Sequence, residues 1–170
     1  EREQALAEGR KVDYSAVSLP EEEENVKVKQ YGSSYQRGRV ARYRGPRTIA
    51  PIRGARLVKR FGNYVDPIYK IKIFNDSITL KAPRSDAPVR NVLNGKVVYV
   101  GENSMLGKVV IVRHSNGLHT VYAGLSKISP IIRTGTRIRR GTAVGKVRRK
   151  LIFQATQNSK LIDPAQLIRL

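Results

Sequence analysis

The sequence predicts a mainly β protein built on an antiparallel sheet, preceded by a partly helical N-terminal arm. Three observations carry the prediction. Residues 97–100 (VVYV) and 109–112 (VVIV) are apolar runs rich in β-branched side chains and too short for ordinary helices. A third run, 118–123, follows the second across Ser115-Asn116-Gly117. Asn-Gly between apolar runs marks a tight hairpin, because a type I′ turn needs positive φ at both central residues. Residues 69–74 (YKIKIF) alternate apolar and basic side chains, the period of a half-buried strand.

In chain order, residues 1–10 hold helix formers with little apolar face, and Gly9 weakens the helix near its end. Ten residues leave two readings open: a solvated helix end, or the last turns of an upstream coiled coil. The chain opens without Met and reads as a fragment, so the lack of a signal peptide or upstream domain here decides nothing. Glu21–Glu24 form an acidic run, read either as a solvated linker or as a segment that docks on a basic surface. Residues 31–47 interleave Tyr with Gly, Ser and Arg. They read as an extended arm, although Arg and Tyr together also suit stacking on bases. The expected division is therefore an arm and linker over residues 1–45 and a domain over residues 46–170.

Within that domain, Arg60-Phe61-Gly62 ends a first strand and residues 63–67 form a loop. After the central sheet, Gly135, Gly141 and Gly145 supply turns in a loop-and-strand passage. Residues 151–155 form the last core strand, and Ile162-Asp163-Pro164 closes the domain.

Composition narrows the partners. The chain has 33 Lys and Arg against 13 Asp and Glu, a net charge of +20, and nearly all the excess falls after residue 45. A domain this basic attracts polyanions such as nucleic acid, anionic lipid, acidic wall polymer or an acidic protein. No nucleic-acid recognition motif accompanies the charge, so nucleic acid is not expected. Zero cysteines exclude a disulfide framework and a Cys-ligated zinc site. No stretch approaches the roughly 20 apolar residues of a membrane span.

The order AP…PV…NGKVV…LGKVVIVRHSNG…TVYAGL over residues 82–125 resembles the core of the LytM/lysostaphin-type zinc metallopeptidases. The resemblance continues through Gly135, Gly141, Gly145 and Phe153 to Ile162-Asp163-Pro164 and spans roughly residues 50–170. It implies a LytM-like antiparallel fold. In active relatives it also implies a zinc ion held by a His and an Asp four residues apart and by the second His of an H-x-H strand. Two further histidines assist there. Zinc catalysis needs such N, O or S donors and an open position for water.

Aligned on Ala82-Pro83, the first ligand pair falls on Asn75 and Thr79. Aligned on Tyr122-Ala123, a helper histidine falls on Gly124. Aligned on Phe153, the H-x-H pair falls on Lys150 and Ile152, and the Glu that often follows becomes Gln154. Asp76 is the nearest carboxylate. The two histidines, His114 and His119, match no ligand position and read as structural or surface residues. The loop before the H-x-H strand is also short, with only four residues between Gly145 and Lys150.

The resemblance therefore implies a pseudo-enzyme with no metal cofactor, similar to the EnvC-like and NlpD-like activators of periplasmic cell-wall amidases. Its vacated groove would take the regulatory helix of an N-acetylmuramoyl-L-alanine amidase during cell separation. The expected groove residues are Asn75, Asp76, Thr79, Leu106, Val109, Tyr122, Gly124, Lys150, Ile152 and Gln154. The arm would cover this groove at rest, under control of FtsEX acting through an upstream coiled coil. Two alternatives stand beside this reading. One is a catalytically dead partner of an active peptidoglycan metallopeptidase in cell-shape control. The other is a basic module that binds peptidoglycan or nucleic acid.

Overall fold

The computed structural model of the protein describes residues 40–170. The helical start, the coiled-coil reading, the acidic run and most of the arm lie outside the described residues. The described part falls into two units, each taken by itself. One is the hairpin Asn63–Phe74; the other joins residues 40–62 to Asn75–Leu170.

The larger unit is antiparallel β, as its alternating sequence requires. Its strands are β1 (Arg56–Lys59), β4 (Ile78–Lys81), β5 (Ala87–Arg90), β6 (Gly95–Asn103), β7 (Gly107–Arg113), β8 (Leu118–Leu125), β9 (Lys127–Ile128), β10 (Arg137–Ile138), β11 (Ala143–Val147), β12 (Lys150–Gln157) and β13 (Lys160–Ile162). The hairpin contributes β2 (Gly62–Val65) and β3 (Lys72–Asn75). The main sheet runs β10-β6-β7-β8-β12-β4-β1, and β13 also pairs with β12. A small sheet runs β9-β11-β5.

The central hairpin forms as its turn chemistry dictates. Asn116 and Gly117 have φ of 60° and 71°, and Leu118 N–H donates to Ser115 O at 3.2 Å. That is the type I′ geometry, whose twist matches the flanking strands.

One face of the main sheet and the inner side of the small sheet share a core. Ile78 and Leu80 of β4, Val110 and Val112 of β7, Tyr122 of β8, and Leu151, Phe153 and Ala155 of β12 meet Val89 of β5 and Val144 and Val147 of β11. Each large apolar side chain buried this way contributes roughly 1.5–3 kcal/mol. Gly145 lets the small sheet close, since a Cβ there would overlap the Lys127 carbonyl and crowd Ile128 Cα at 3.3 Å. The obstacle is backbone, which cannot swing aside. Gly145→Ala should therefore lower the urea midpoint, whereas the same change at Gly135, where nothing lies within 4 Å, meets only its own positive φ.

Three expectations change. Residues 63–67 are not a simple loop, because β2 runs to Val65. Residues 69–74 are not strand throughout: β3 begins only at Lys72. Asp66 explains both, since its Oδ1 accepts the N–H groups of Ile68 and Tyr69 at 2.8 and 2.9 Å and Lys70 takes φ of 60°. Such a carboxylate bridge reverses the chain and leaves Ile68 and Tyr69 at an exposed tip. Finally, residues 151–155 are not the last strand. Asn158 and Ser159, with φ of 53° and 68°, turn β12 into β13. Val40 bridges Leu161 there, and Ala41 N–H donates to Leu161 O at 2.8 Å. Residues 40–45, expected to be linker, thus begin with contacts to the sheet. Asp163 Oδ1 accepts from Ala165 N–H at 2.9 Å and caps the final 3-10 turn, Pro164–Gln166.

Candidate functional site

The second face of the main sheet carries most of the positions singled out in the sequence. Strand alternation puts them there. Phe153 points into the core, so its neighbours Ile152 and Gln154 face the other way. The register then lines up Thr79 with Ile152, Ile152 with Ala123, and Ala123 with Val109. The next row aligns Gln154, Val121 and Ile111. Val109, Ile111 and Ala123 form a separate buried apolar cluster, joined by Val98, Leu106, Val121 and Ile152. Lys150 and Lys81 are paired at the β12–β4 edge of this face.

Gly124 makes the arrangement possible. It sits at an irregularity where Lys108 pairs with Leu125 but Val109 with Ala123, and its φ is 80°. This bulge lets Ala123 face the second cluster while Leu125 returns to the main core. Gly124 N–H donates to Leu106 O at 2.7 Å, which fixes Leu106 beside the row. Asn75 lies at the end of β3, its amide donating to Arg60 O at 3.1 Å. Asp76 follows it and is exposed.

The structure corrects one expected groove residue. Tyr122 is fully buried on the core side and does not line this face. Its ring packs against Phe153 at a centroid separation of 5.5 Å. Its hydroxyl donates to Asn91 Oδ1 at 3.1 Å and accepts from Val92 N–H at 3.1 Å. Burial pushes this hydroxyl far above its ordinary pKa, so it stays protonated. The reason for the correction is parity: Tyr122 and Ala123 are consecutive in a strand and cannot share a face. Val98, Ile111, Val121 and Ala123 were missed, although the alternation of residues 109–112 and 118–123 could have located three of them.

His114 belongs to the same buried network. Its Nδ1 lies 2.9 Å from Asn94 O and its Nε2 2.8 Å from Thr120 Oγ1. A carbonyl only accepts, so in the neutral ring Nδ1 carries the proton. Burial is the main force pushing the imidazole below its ordinary pKa. The charge of His119 adds to it, while the Asn94 and Leu93 carbonyls oppose it. The folded state thus favours the neutral ring. Its contribution is complete above the unfolded value, about 6.5, and is lost as pH falls from there toward the depressed folded value. Urea midpoints should drop between pH 7.5 and 5.5, and His114→Gln should flatten that slope.

The donor set does not fit zinc. The positions that the sequence resemblance assigns to ligands hold an amide, a hydroxyl, an ammonium and an alkyl group, at Asn75, Thr79, Lys150 and Ile152. Ile152, Ala123 and Val109 stand side by side and pack in one apolar cluster, so the centre of the face is apolar. Among the described residues, no three His, Cys, Asp or Glu side chains are grouped to hold a metal.

Comparison with known proteins agrees with this fold. Residues 74–164 match Peptidase family M23. The DD-carboxypeptidase/endopeptidase Mpg of Neisseria meningitidis serogroup B is 31% identical over 137 residues, covering 76% of this chain. The chain spans only 31% of that protein. A structure of Helicobacter pylori Csd3 superposes with a TM-score of 0.65 at 25% identity, over 74% of this chain and 36% of that one. The solution structure of lysostaphin superposes with a TM-score of 0.57 at 19% identity, over 69% and 51% of the two chains, and shares the fold. Antiparallel sheets in this order, a matching central sequence and these superpositions agree: the chain belongs to peptidase family M23.

Proposed function

We propose that the protein is a non-catalytic activator of a periplasmic N-acetylmuramoyl-L-alanine amidase, and that the second face of its main sheet takes up the amidase's regulatory helix. The observation that carries this reading is the row Thr79–Ile152–Ala123–Val109. It replaces a metal-binding centre with an apolar strip, and such a strip suits one face of an amphipathic helix. Lys150 and Lys81 at its edge would steer acidic residues of that helix, which raises association rate more than affinity. The groove then consists of Thr79, Leu106, Val109, Gly124, Lys150, Ile152 and Gln154, flanked by Asn75 and Asp76. The N-terminal arm covers the face at rest, and FtsEX relieves it through an upstream coiled coil.

The test is release of dye-labelled peptidoglycan by this chain alone, by a cognate amidase alone, and by both together. Each is run with and without added zinc. Stimulation only in the mixture is expected, with no release by this chain in zinc. Release by this chain alone would overturn the reading. Activity in neither arm would favour a dead partner of an active metallopeptidase. Removing residues 1–39, which spares the Val40–Leu161 bridge, should raise stimulation several-fold. An unchanged value would remove the covering role of the arm while leaving the activator.

A further inference from the structure

The sheet face leaves a second feature unexplained. A depression of about 230 Å³ is ringed by Arg53, Arg84 and Arg90, over apolar surface from Ile52, Pro83 and Ala87. Its residues come from the segment before β1, the turn after β4, β5, the turn before β11 and β11 itself, and none belongs to the apolar row of the main sheet. No carboxylate lines it among the described residues.

Arg90 is the fixed member. It is half-buried on β5, its Nε donates to Ala50 O at 2.8 Å, and its backbone N–H donates to Pro51 O at 2.8 Å. Those bonds hold the guanidinium and leave its terminal nitrogens for a ligand. Arg53 and Arg84 are exposed at the rim. Burial pushes the Arg90 guanidinium below its ordinary pKa, and the charge of Arg53 adds to that effect. Among the described residues, like charges are therefore gathered without a neutralising partner in the depression, an arrangement that an anion would relieve. Arginine forks offer paired donors that match oxyanions. A phosphoryl group also presents several acceptor oxygens, which can meet more than one guanidinium at once, whereas a carboxylate has only two.

We infer that Arg53, Arg84 and Arg90 form a phosphoryl-binding site, served either by a soluble phosphate compound or by a phospholipid headgroup. The apolar floor leaves room for a short carbon chain beside the phosphoryl group.

The test uses the whole chain at constant ionic strength, with inorganic pyrophosphate titrated calorimetrically. A second arm measures binding to vesicles of phosphatidylglycerol against phosphatidylcholine. Arg53→Ala/Arg84→Ala should weaken binding by about tenfold or more, given the strength of charge-assisted bonds. Arg133→Ala/Arg137→Ala removes the same charge elsewhere on the surface and should change it less than twofold. An effect of the first pair in the pyrophosphate arm alone assigns a soluble ligand. An effect in the phosphatidylglycerol arm assigns the lipid headgroup. Equal weakening by both pairs would mean diffuse attraction and overturn the site, as would binding that neither pair changes. Neither arm involves an amidase, so the site stands or falls separately from the proposed activation.

Discussion

Ile152→Asp should abolish stimulation of the amidase while leaving the domain folded. Ile152 is half-buried and lies between Thr79 and Ala123, at the centre of the apolar row. In the free protein an aspartate there can still reach water. Under a docked helix it would be a buried charge without a partner, which costs about 3–5 kcal/mol. Each 1.4 kcal/mol is about tenfold in affinity, so half-maximal stimulation should need at least a hundredfold more protein. Dye release measures the loss, and an unchanged thermal transition confirms that the fold remains. If the variant stimulated as well as the parent, the second face would not be the docking surface. Lys150→Glu, at the edge of the same face, should act more mildly, slowing association at low salt with little effect at high salt.

Phe153→Ala, one residue further along, should have a different consequence. Phe153 is fully buried in the shared core and packs at a tilt against Tyr122. Removing a buried aromatic ring typically costs about 3–5 kcal/mol, from lost transfer energy and the cavity left behind. Small domains have roughly 5–15 kcal/mol in total, so the variant should lose about a fifth of its stability or more. The measurement is a urea unfolding curve: the midpoint should fall while the slope stays constant. Below the transition, whatever protein remains folded should stimulate the amidase normally. A shift under 1 kcal/mol would mean that the core closes over the gap. These two neighbouring residues separate function from stability because strand alternation sends them to opposite faces.

Much of this was legible without coordinates. The runs at 97–100 and 109–112 lie within β6 and β7, and the run at 118–123 within β8. Asn116-Gly117 dictated the turn between the last two. These are local effects, set by β-branched side chains and by residues that tolerate positive φ. The hairpin tip was misread because YKIKIF has the period of a strand, while the carboxylate of Asp66 captures two backbone amides and turns the chain first. Tyr122 was misread for another reason. Its place beside a family motif suggested a groove position, but alternation from Ala123 puts it in the core.

By itself, the sequence determined the fold class, the absence of cysteine ligands, and the amide, hydroxyl, ammonium and alkyl groups at the expected metal positions. All of these are properties of residue type and local spacing. Only the tertiary structure decided that Ile152, Ala123 and Val109 form one row, that the Gly124 bulge keeps Ala123 in it, and that Arg53, Arg84 and Arg90 ring one depression. Those groupings join residues far apart in the chain. Cross-strand register and the packing of two sheets bring them together, and neither is encoded in any short stretch.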